Sequence, residues 1–272
     1  MKIHSPQKIA MVTGSSSGIG QAIAFRLAQS GWFVILHGRT ISESLLETKL
    51  KIEQCGGQTG LVVADFSETQ LLERFVNEAW SVGGRIDAWI NNAGGDVLTG
   101  TWSQRTLPEK LDYLLKVDVT ATLLLSRMIG EKMKAAFKTG DAQSDGSPPL
   151  DTPGRVSILN MGWDQAVQGM GGESGELFAT TKGAIMAMSK SLAQSLSPAV
   201  RVNCLAPGWI QTDWGREASA YWNERAKRES LMDRWGRPED VAEAACFLCG
   251  ETAQYISGQV LSVNGGFRYS TD

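Results

Sequence analysis

The sequence predicts an α/β fold: one doubly wound parallel sheet with helices on both faces, in a single domain over 1–272. Two observations predict it. Short apolar runs alternate with amphipathic helical stretches along almost the whole chain. Each run is nearly free of polar residues, as strands are when helices cover both faces of a parallel sheet.

In chain order, IAMVT (9–13) reads as a strand and 18–30 as a helix. WFVILH (32–37) is the second strand, followed by a helix over 42–54. TGLVVAD (59–65) and a helix over 68–80 come next, then the strand IDAWIN (86–91) and a long helical region over about 108–137. The segment 138–154 is rich in Gly, Pro, Ser and Asp and predicts a surface excursion. It is no domain linker, because the alternation resumes at once. RVSILN (155–160) is a strand, 176–196 a helix and VRVNCLA (200–206) a strand. Helices over 214–227 and 238–249 lead to the last strand, VLSV (260–263). Repeats of this length imply right-handed βαβ crossovers.

Composition narrows the function classes. With 42% hydrophobic and 20% charged residues, the 272-residue chain is ordinary globular material. A net charge of −3 with no basic block points away from nucleic acid and anionic membrane surfaces. No apolar run approaches the ~20 residues of a membrane span. The polar, short start reads as no signal peptide, and a cytoplasmic protein is expected. Cys246 and Cys249 form a C-x-x-C, but they sit in a helical pattern, and His4 and His37 are the only histidines. The expectation is small apolar residues on one helix face and no metal site.

After the first strand comes Thr13-Gly14-Ser15-Ser16-Ser17-Gly18-Ile19-Gly20, and then a helix. Glycines let backbone approach a phosphate closely, and the helix start offers free N–H groups and partial positive charge. A glycine-rich turn alone is a weak signal. Placed between a strand and a helix in a βαβ unit, it predicts a Rossmann-type dinucleotide site built on Gly14, Ser16, Ser17, Gly18, Ile19 and Gly20.

These motifs resemble the short-chain dehydrogenase/reductase family. TGSSSGIG is similar to its T-G-x-x-x-G-x-G cofactor loop, Asn91-Asn92-Ala93-Gly94 to its N-N-A-G, and Pro207-Gly208-Trp209-Ile210-Gln211-Thr212 to its P-G segment. Residues 234–266 resemble its C-terminal signature, so the likeness covers almost the whole chain. The resemblance implies that Asp65 and Phe66 line an adenine pocket. It implies that Asn92, Ala93 and Gly94 pack on the ribose and nicotinamide side. Pro207, Gly208, Ile210 and Thr212 would border the nicotinamide or phosphates, and 209–236 would form a substrate lid. The second strand ends His37-Gly38-Arg39. An acidic residue there would bind the ribose hydroxyls, whereas a guanidinium clamps a 2′-phosphate, so NADP is favoured over NAD.

The resemblance also implies a catalytic set of Tyr, Lys, Ser and Asn, and three of the four are replaced. The Y-x-x-x-K motif reads Phe178-Ala179-Thr180-Thr181-Lys182. The serine position falls on Trp163 (or on Gly162 in a shifted register), and the helix asparagine reads Asp118. Losing a positioned acid costs roughly 10²–10⁴ in rate, and one donor to the reacting oxygen roughly 10²–10³. Lys182 remains to hold the ribose. Asp118 either pairs with Lys182 or, by default, bonds elsewhere in its helix. Asp164, Glu173, Ser174, Glu176 and Tyr221 are substitute acids on paper, each expected at the surface. Trp102, Trp163, Trp209 and Trp214 are expected near the site mouth, with Trp163, Phe178 and Trp209 lining the substrate pocket. Core packing is the default for each, and a flat aromatic substrate the alternative.

The expected function is an NAD(P)(H)-binding oxidoreductase acting on an unknown carbonyl or alcohol through a non-standard proton donor. The alternative is a dinucleotide-binding sensor or partner subunit with little turnover; a lyase using Lys182 as base is a third reading. The resemblance also implies a homotetramer or homodimer through the middle helices and the C-terminal strand; the apolar face of 111–128 would allow that, and a face of that kind also packs inside a monomer.

Overall fold

The computed structural model describes residues 7–139 and 153–269. Most of the expected surface excursion at 138–154 therefore lies outside the described residues.

Seven parallel strands form one sheet in the order β3-β2-β1-β4-β5-β6-β7. They are β1 (Ile9–Val12), β2 (Phe33–Gly38), β3 (Gln58–Val63), β4 (Ala88–Asn91), β5 (Val156–Met161), β6 (Val200–Pro207) and β7 (Val260–Val263). The central strands β4, β5 and β6 are buried along their whole length, which explains their unbroken apolar runs. Helices α1 (Gly18–Gln29), α2 (Glu43–Gln54) and, from the far end of the chain, α10 (Pro238–Cys249) pack one face. The opposite face carries α3 (Leu72–Gly83), α4 (Leu107–Leu114), α5 (Ala121–Thr139) and α7 (Glu173–Leu196). Short helices α6 (Gln165–Gln168), α8 (Asp213–Arg216) and α9 (Ala220–Glu229) lie over the carboxyl ends of β5 and β6. Strand order reverses between β1 and β4, and the crevice at that switch point is where such sheets take ligands.

Three helical regions are built differently from expectation, and α7 begins three residues earlier than the expected 176. The helix expected at 68–80 starts at Leu72, because Asp65 accepts from the backbone and hydroxyl of Ser67 (2.9 and 2.8 Å) and a 3₁₀ turn, Thr69–Leu71, follows. The long helical region expected over about 108–137 contains a π-helical turn, Leu115–Thr120, which carries Asp118. The helix expected over 214–227 is two short ones, α8 and α9.

A buried polar chain ties the second layer to the sheet. Trp89 Nε1 donates to Asn91 (2.7 Å), Asn91 Nδ2 donates to Asn160 (2.8 Å) and Ser126 (2.9 Å), and Asn160 Nδ2 donates to Ser189 (2.9 Å). These bonds fix α5 and α7, and with them Asp118 and Lys182, against β4 and β5.

Candidate functional site

The chain leaves β1 and turns through 13–17 into α1. Thr13 Oγ1 accepts from the N–H groups of Asn92 (2.9 Å) and Ala93 (3.0 Å). Asn92 Nδ2 donates to the carbonyls of Thr13 and Gly14, at 3.0 Å each. The Asn92 side chain therefore clamps this loop to the end of β4. Only glycine fits at two places. Gly14 has φ +63°, with Ala93 Cα 2.8 Å from where a Cβ would sit, and a Cβ on Gly20 would strike the Gly14 carbonyl. Ser17 makes no side-chain capping bond and the first turn of α1 holds no acid, so its positive end stays open.

His37 fixes the loop from the other side. The Gly14 N–H donates to Nδ1 (3.0 Å), so Nε2 carries the proton and donates to the Ala64 carbonyl (3.0 Å). The ring stacks on Phe66 at 4.4 Å. Burial pushes its pKa down to about 4, so the imidazole is neutral.

A cleft of about 750 Å³ opens here. Gly14, Ser16, Ser17, Gly18, Ile19 and Gly20 line it, together with Arg39, Asp65, Phe66, Asn92, Ala93, Gly94 and Thr212. Arg39 is exposed and pairs with no carboxylate among the described residues. Thr212 reaches over the loop, its Cγ2 lying 3.3 Å from where a Cβ on Gly18 would sit.

A second cavity of about 460 Å³ joins the first, since Ile19, Asn92, Thr212 and Trp214 line both. Trp163, Phe178 and Trp209 line it, together with Lys182, Pro207, Gly208 and Ile210. Lys182 Nζ lies 2.8 Å from Asp118 Oδ2, and Asp118 Oδ1 accepts from the Gly95 N–H (2.7 Å). The pairing thus overturns the default reading of Asp118. The π turn places this carboxylate, 1% exposed, beside the lysine rather than along the helix. The contact with Oδ2 lacks hydrogen-bond alignment, so it acts through charge.

Phe178 meets Trp163 edge to face at 6.2 Å, and among the described residues no tyrosine lines the cavity that holds Lys182. The hydroxyls lining the cavity belong to Ser174 and Thr212. Of the substitute acids, Glu173, Glu176 and Tyr221 are exposed as expected, and Glu173 is paired with Lys110 (2.7 Å). Asp164 corrects its expected surface position. It is 4% exposed and accepts from the Gln165 N–H (2.8 Å) and Asn264 Nδ2 (3.0 Å), and desolvation pushes its pKa up to about 6. It sits behind Gly208 rather than in the cavity lining.

The tryptophans also regroup. Trp102 stacks on Tyr113 (4.1 Å) in the first cleft. Trp209 and Trp214 join Trp222 and Trp235, with ring centroids 5.5–6.5 Å apart. Glu229 Oε2 accepts from Trp209 Nε1 (2.8 Å) and Gln165 Nε2 (3.2 Å), and Glu229 Oε1 pairs with Arg225 Nε (2.7 Å). Arg225 in turn lies over the rings of Trp209 and Trp222, at 5.6 and 5.4 Å. The ends of 209–236 are pinned together, because the Gln211 N–H donates to Gly236 and the Gly236 N–H to Trp209, both at 2.8 Å.

Sequence reasoning missed Trp222, Trp235, His37 and Glu229. Trp235 lay in plain view inside the C-terminal signature, while the others carry no motif. Cys249 is buried and pushed up to about 12, and no group of residues suited to a metal occurs among the described residues. No helix among them is long and apolar enough to cross a membrane.

The sequence model of the Enoyl-(Acyl carrier protein) reductase family matches residues 14–268. The chain is 33% identical over 273 residues to 3-oxoacyl-(acyl-carrier-protein) reductase FabG of Aquifex aeolicus, covering 98% of this chain and 99% of that protein. The chain belongs to the short-chain dehydrogenase/reductase family. It is 32% identical to dehydrogenase/reductase SDR family member 4 of Sus scrofa, covering 95% of this chain and 86% of the relative. Among solved structures, a short-chain dehydrogenase/reductase mutant from Serratia marcescens superposes with a TM-score of 0.80 at 28% identity, covering 97% of this chain and 99% of the other. A 3-oxoacyl (acyl-carrier-protein) reductase from Agrobacterium tumefaciens with NADP bound has a TM-score of 0.80 at 27% identity, covering 96% and 95% of the two chains. The 7α-hydroxysteroid dehydrogenase complexed with NADH and 7-oxo glycochenodeoxycholic acid is equally close in TM-score, 0.80, at 26% identity, covering 97% and 96%.

Proposed function

We propose that this short-chain dehydrogenase/reductase is an NADP(H)-dependent oxidoreductase whose proton chemistry departs from the family's usual set. The observation that carries the reading is one continuous cleft. It runs from an uncapped helix start and an unpaired Arg39, past Lys182, into an aromatic cavity. The glycine-built loop fits a pyrophosphate, because side chains at Gly14 and Gly20 would fill the space its backbone leaves. Arg39 suits a 2′-phosphate, and NADP in the Agrobacterium neighbour supports that choice. When bound, the cofactor supplies the hydride. Lys182 holds the ribose, Asp118 orients Lys182, and 209–236 covers the substrate.

A homo-oligomer assembled through the middle helices is part of the same proposal, since Leu115, Leu123 and Leu124 are exposed there. Light scattering tests it, and a monomer at micromolar concentration would refute it.

A second reading is favoured by Phe178 and by the Asp118–Lys182 pair, which leaves the lysine's charge already compensated. On that reading the protein binds the nucleotide and turns over little. NADPH oxidation with a panel of C=O and C=N substrates decides between them, with Phe178→Tyr as comparison. Parental activity abolished by Lys182→Ala supports the enzyme. Activity found only in Phe178→Tyr supports the binding protein.

A further inference from the structure

We infer that the substrate taken by the aromatic cavity is a cyclic iminium cation, a ring-held C=N⁺ group reduced without a proton donor. The inference rests on the NADP(H)-dependent reading above and names its substrate class.

Three observations converge on it. First, the hydroxyls the cavity offers a developing oxyanion are those of Ser174 and Thr212, neither at a position the family gives to its catalytic Tyr or Ser. The phenol position is Phe178, the position expected for serine is taken by Trp163 or Gly162, and Asp118 Oδ2 at 2.8 Å already balances Lys182. A ketone gaining hydride needs a proton or a positive field at oxygen, and here it would meet a neutralised lysine.

Second, the walls suit a cation. Trp209, Trp214, Trp222 and Trp235, packed on one another at 5.5–6.5 Å, form an aromatic wall of the cavity, and indole faces carry negative potential. Arg225 at 5.4–5.6 Å from two of these rings is a cation already held by them. Glu229 accepts from Trp209 Nε1 and so makes that indole more electron-rich.

Third, the two cations at the cavity are each held by a carboxylate, Lys182 by Asp118 and Arg225 by Glu229. Asp164 lies directly behind Gly208, its Oδ2 3.1 Å from where a Cβ would sit, and Glu229 meets both Trp209 and Arg225. Lys182 is the only charged side chain lining the cavity itself among the described residues.

The step balances without any acid. A C–H bond of the dihydronicotinamide breaks as a new C–H bond forms at the iminium carbon. The π pair of C=N⁺ becomes the nitrogen lone pair. The substrate leaves as a neutral amine and the oxidised nicotinamide carries the positive charge, so total charge is conserved and no proton moves.

The test uses the full-length protein and two probes, N-methyl-3,4-dihydroisoquinolinium and N-methylpyrrolinium. The ketone 1-tetralone, close in shape to the first, is the neutral control. Tryptophan fluorescence of the cofactor-free protein should be quenched saturably by the dihydroisoquinolinium and barely by tetralone. With NADPH present, the cation should be reduced to the tertiary amine, identified by mass spectrometry, at least about tenfold faster than tetralone. Trp222→Leu should raise the half-saturating cation concentration about tenfold, with a smaller change for tetralone. Tetralone reduced as fast as the cations, or no reduction of either cation by NADPH-loaded protein, overturns the inference. A missing thermal shift with NADPH overturns instead the cofactor reading beneath it.

Discussion

Acidification should leave His37 neutral long after an ordinary imidazole has taken a proton. Its ring is 2% exposed, Nδ1 accepts from the Gly14 N–H, and protonation there would set two donors against each other. The pKa falls from 6.5 to about 4 because burial penalises the charged ring. That gap of about 2.5 units, at 1.36 kcal/mol each, is worth roughly 3 kcal/mol. The sign follows from proton counts. Between pH 6.5 and about 4 the unfolded chain binds a proton that the native state refuses. The contribution is therefore whole above pH 6.5 and drains away as pH falls through that window. Asp164 works the other way. Its pKa rises from 3.8 to about 6, so the native state holds the extra proton and gains roughly 3 kcal/mol as pH falls through its window. The two slopes largely offset each other, and bulk unfolding would hide both. Proton NMR separates them, because His4 and His37 are the only histidines. One imidazole signal should titrate near pH 4. If both signals titrate near the ordinary value, His37 is not the neutral clamp described here.

Other outcomes follow from the same geometry. Gly20→Ala drives a Cβ into the Gly14 carbonyl and should abolish the thermal shift produced by NADPH, with a loss of about 1–3 kcal/mol of stability in chemical denaturation. Asp118→Asn keeps an acceptor for the Gly95 N–H but strands Lys182. Denaturant unfolding should show a loss of about 3 kcal/mol, the low end for a broken buried pair, because Lys182 retains some contact with water. Glu229→Ala leaves Trp209 Nε1 and Arg225 without their shared partner, and should raise KM for the cation probes by about tenfold while NADPH affinity stays close to the parent's.

The sheet was legible because nearly every strand is an uninterrupted apolar run flanked by turn residues, and β4, β5 and β6 are buried throughout. The loop 13–20 was legible because its demand for glycine is local: it depends on a tight turn and one close backbone approach. The helix break at Leu115–Thr120 was not, since LKVDVT has an unremarkable helical composition and the π turn follows from packing. Asp118 and Lys182 were visible singly, but their pairing depends on how α5 and α7 are fixed through Asn91, Asn160 and Ser189. Asp164 looked like a surface acid because its partner, Asn264, lies 100 residues away. The tryptophan cluster was half visible for the same reason: Trp222 and Trp235 are brought to Trp209 by the pinning of 209–236, which no periodicity encodes.

Titration calorimetry of NADPH and NADH against the parent and Arg39→Ala tests the central claim most directly. NADPH should bind the parent at least about tenfold more tightly than NADH, as one charge-assisted phosphate clamp allows, and Arg39→Ala should erase that difference. Heat from neither nucleotide at millimolar concentration with folded protein would contradict the account, as would a preference for NADPH that survives the loss of Arg39.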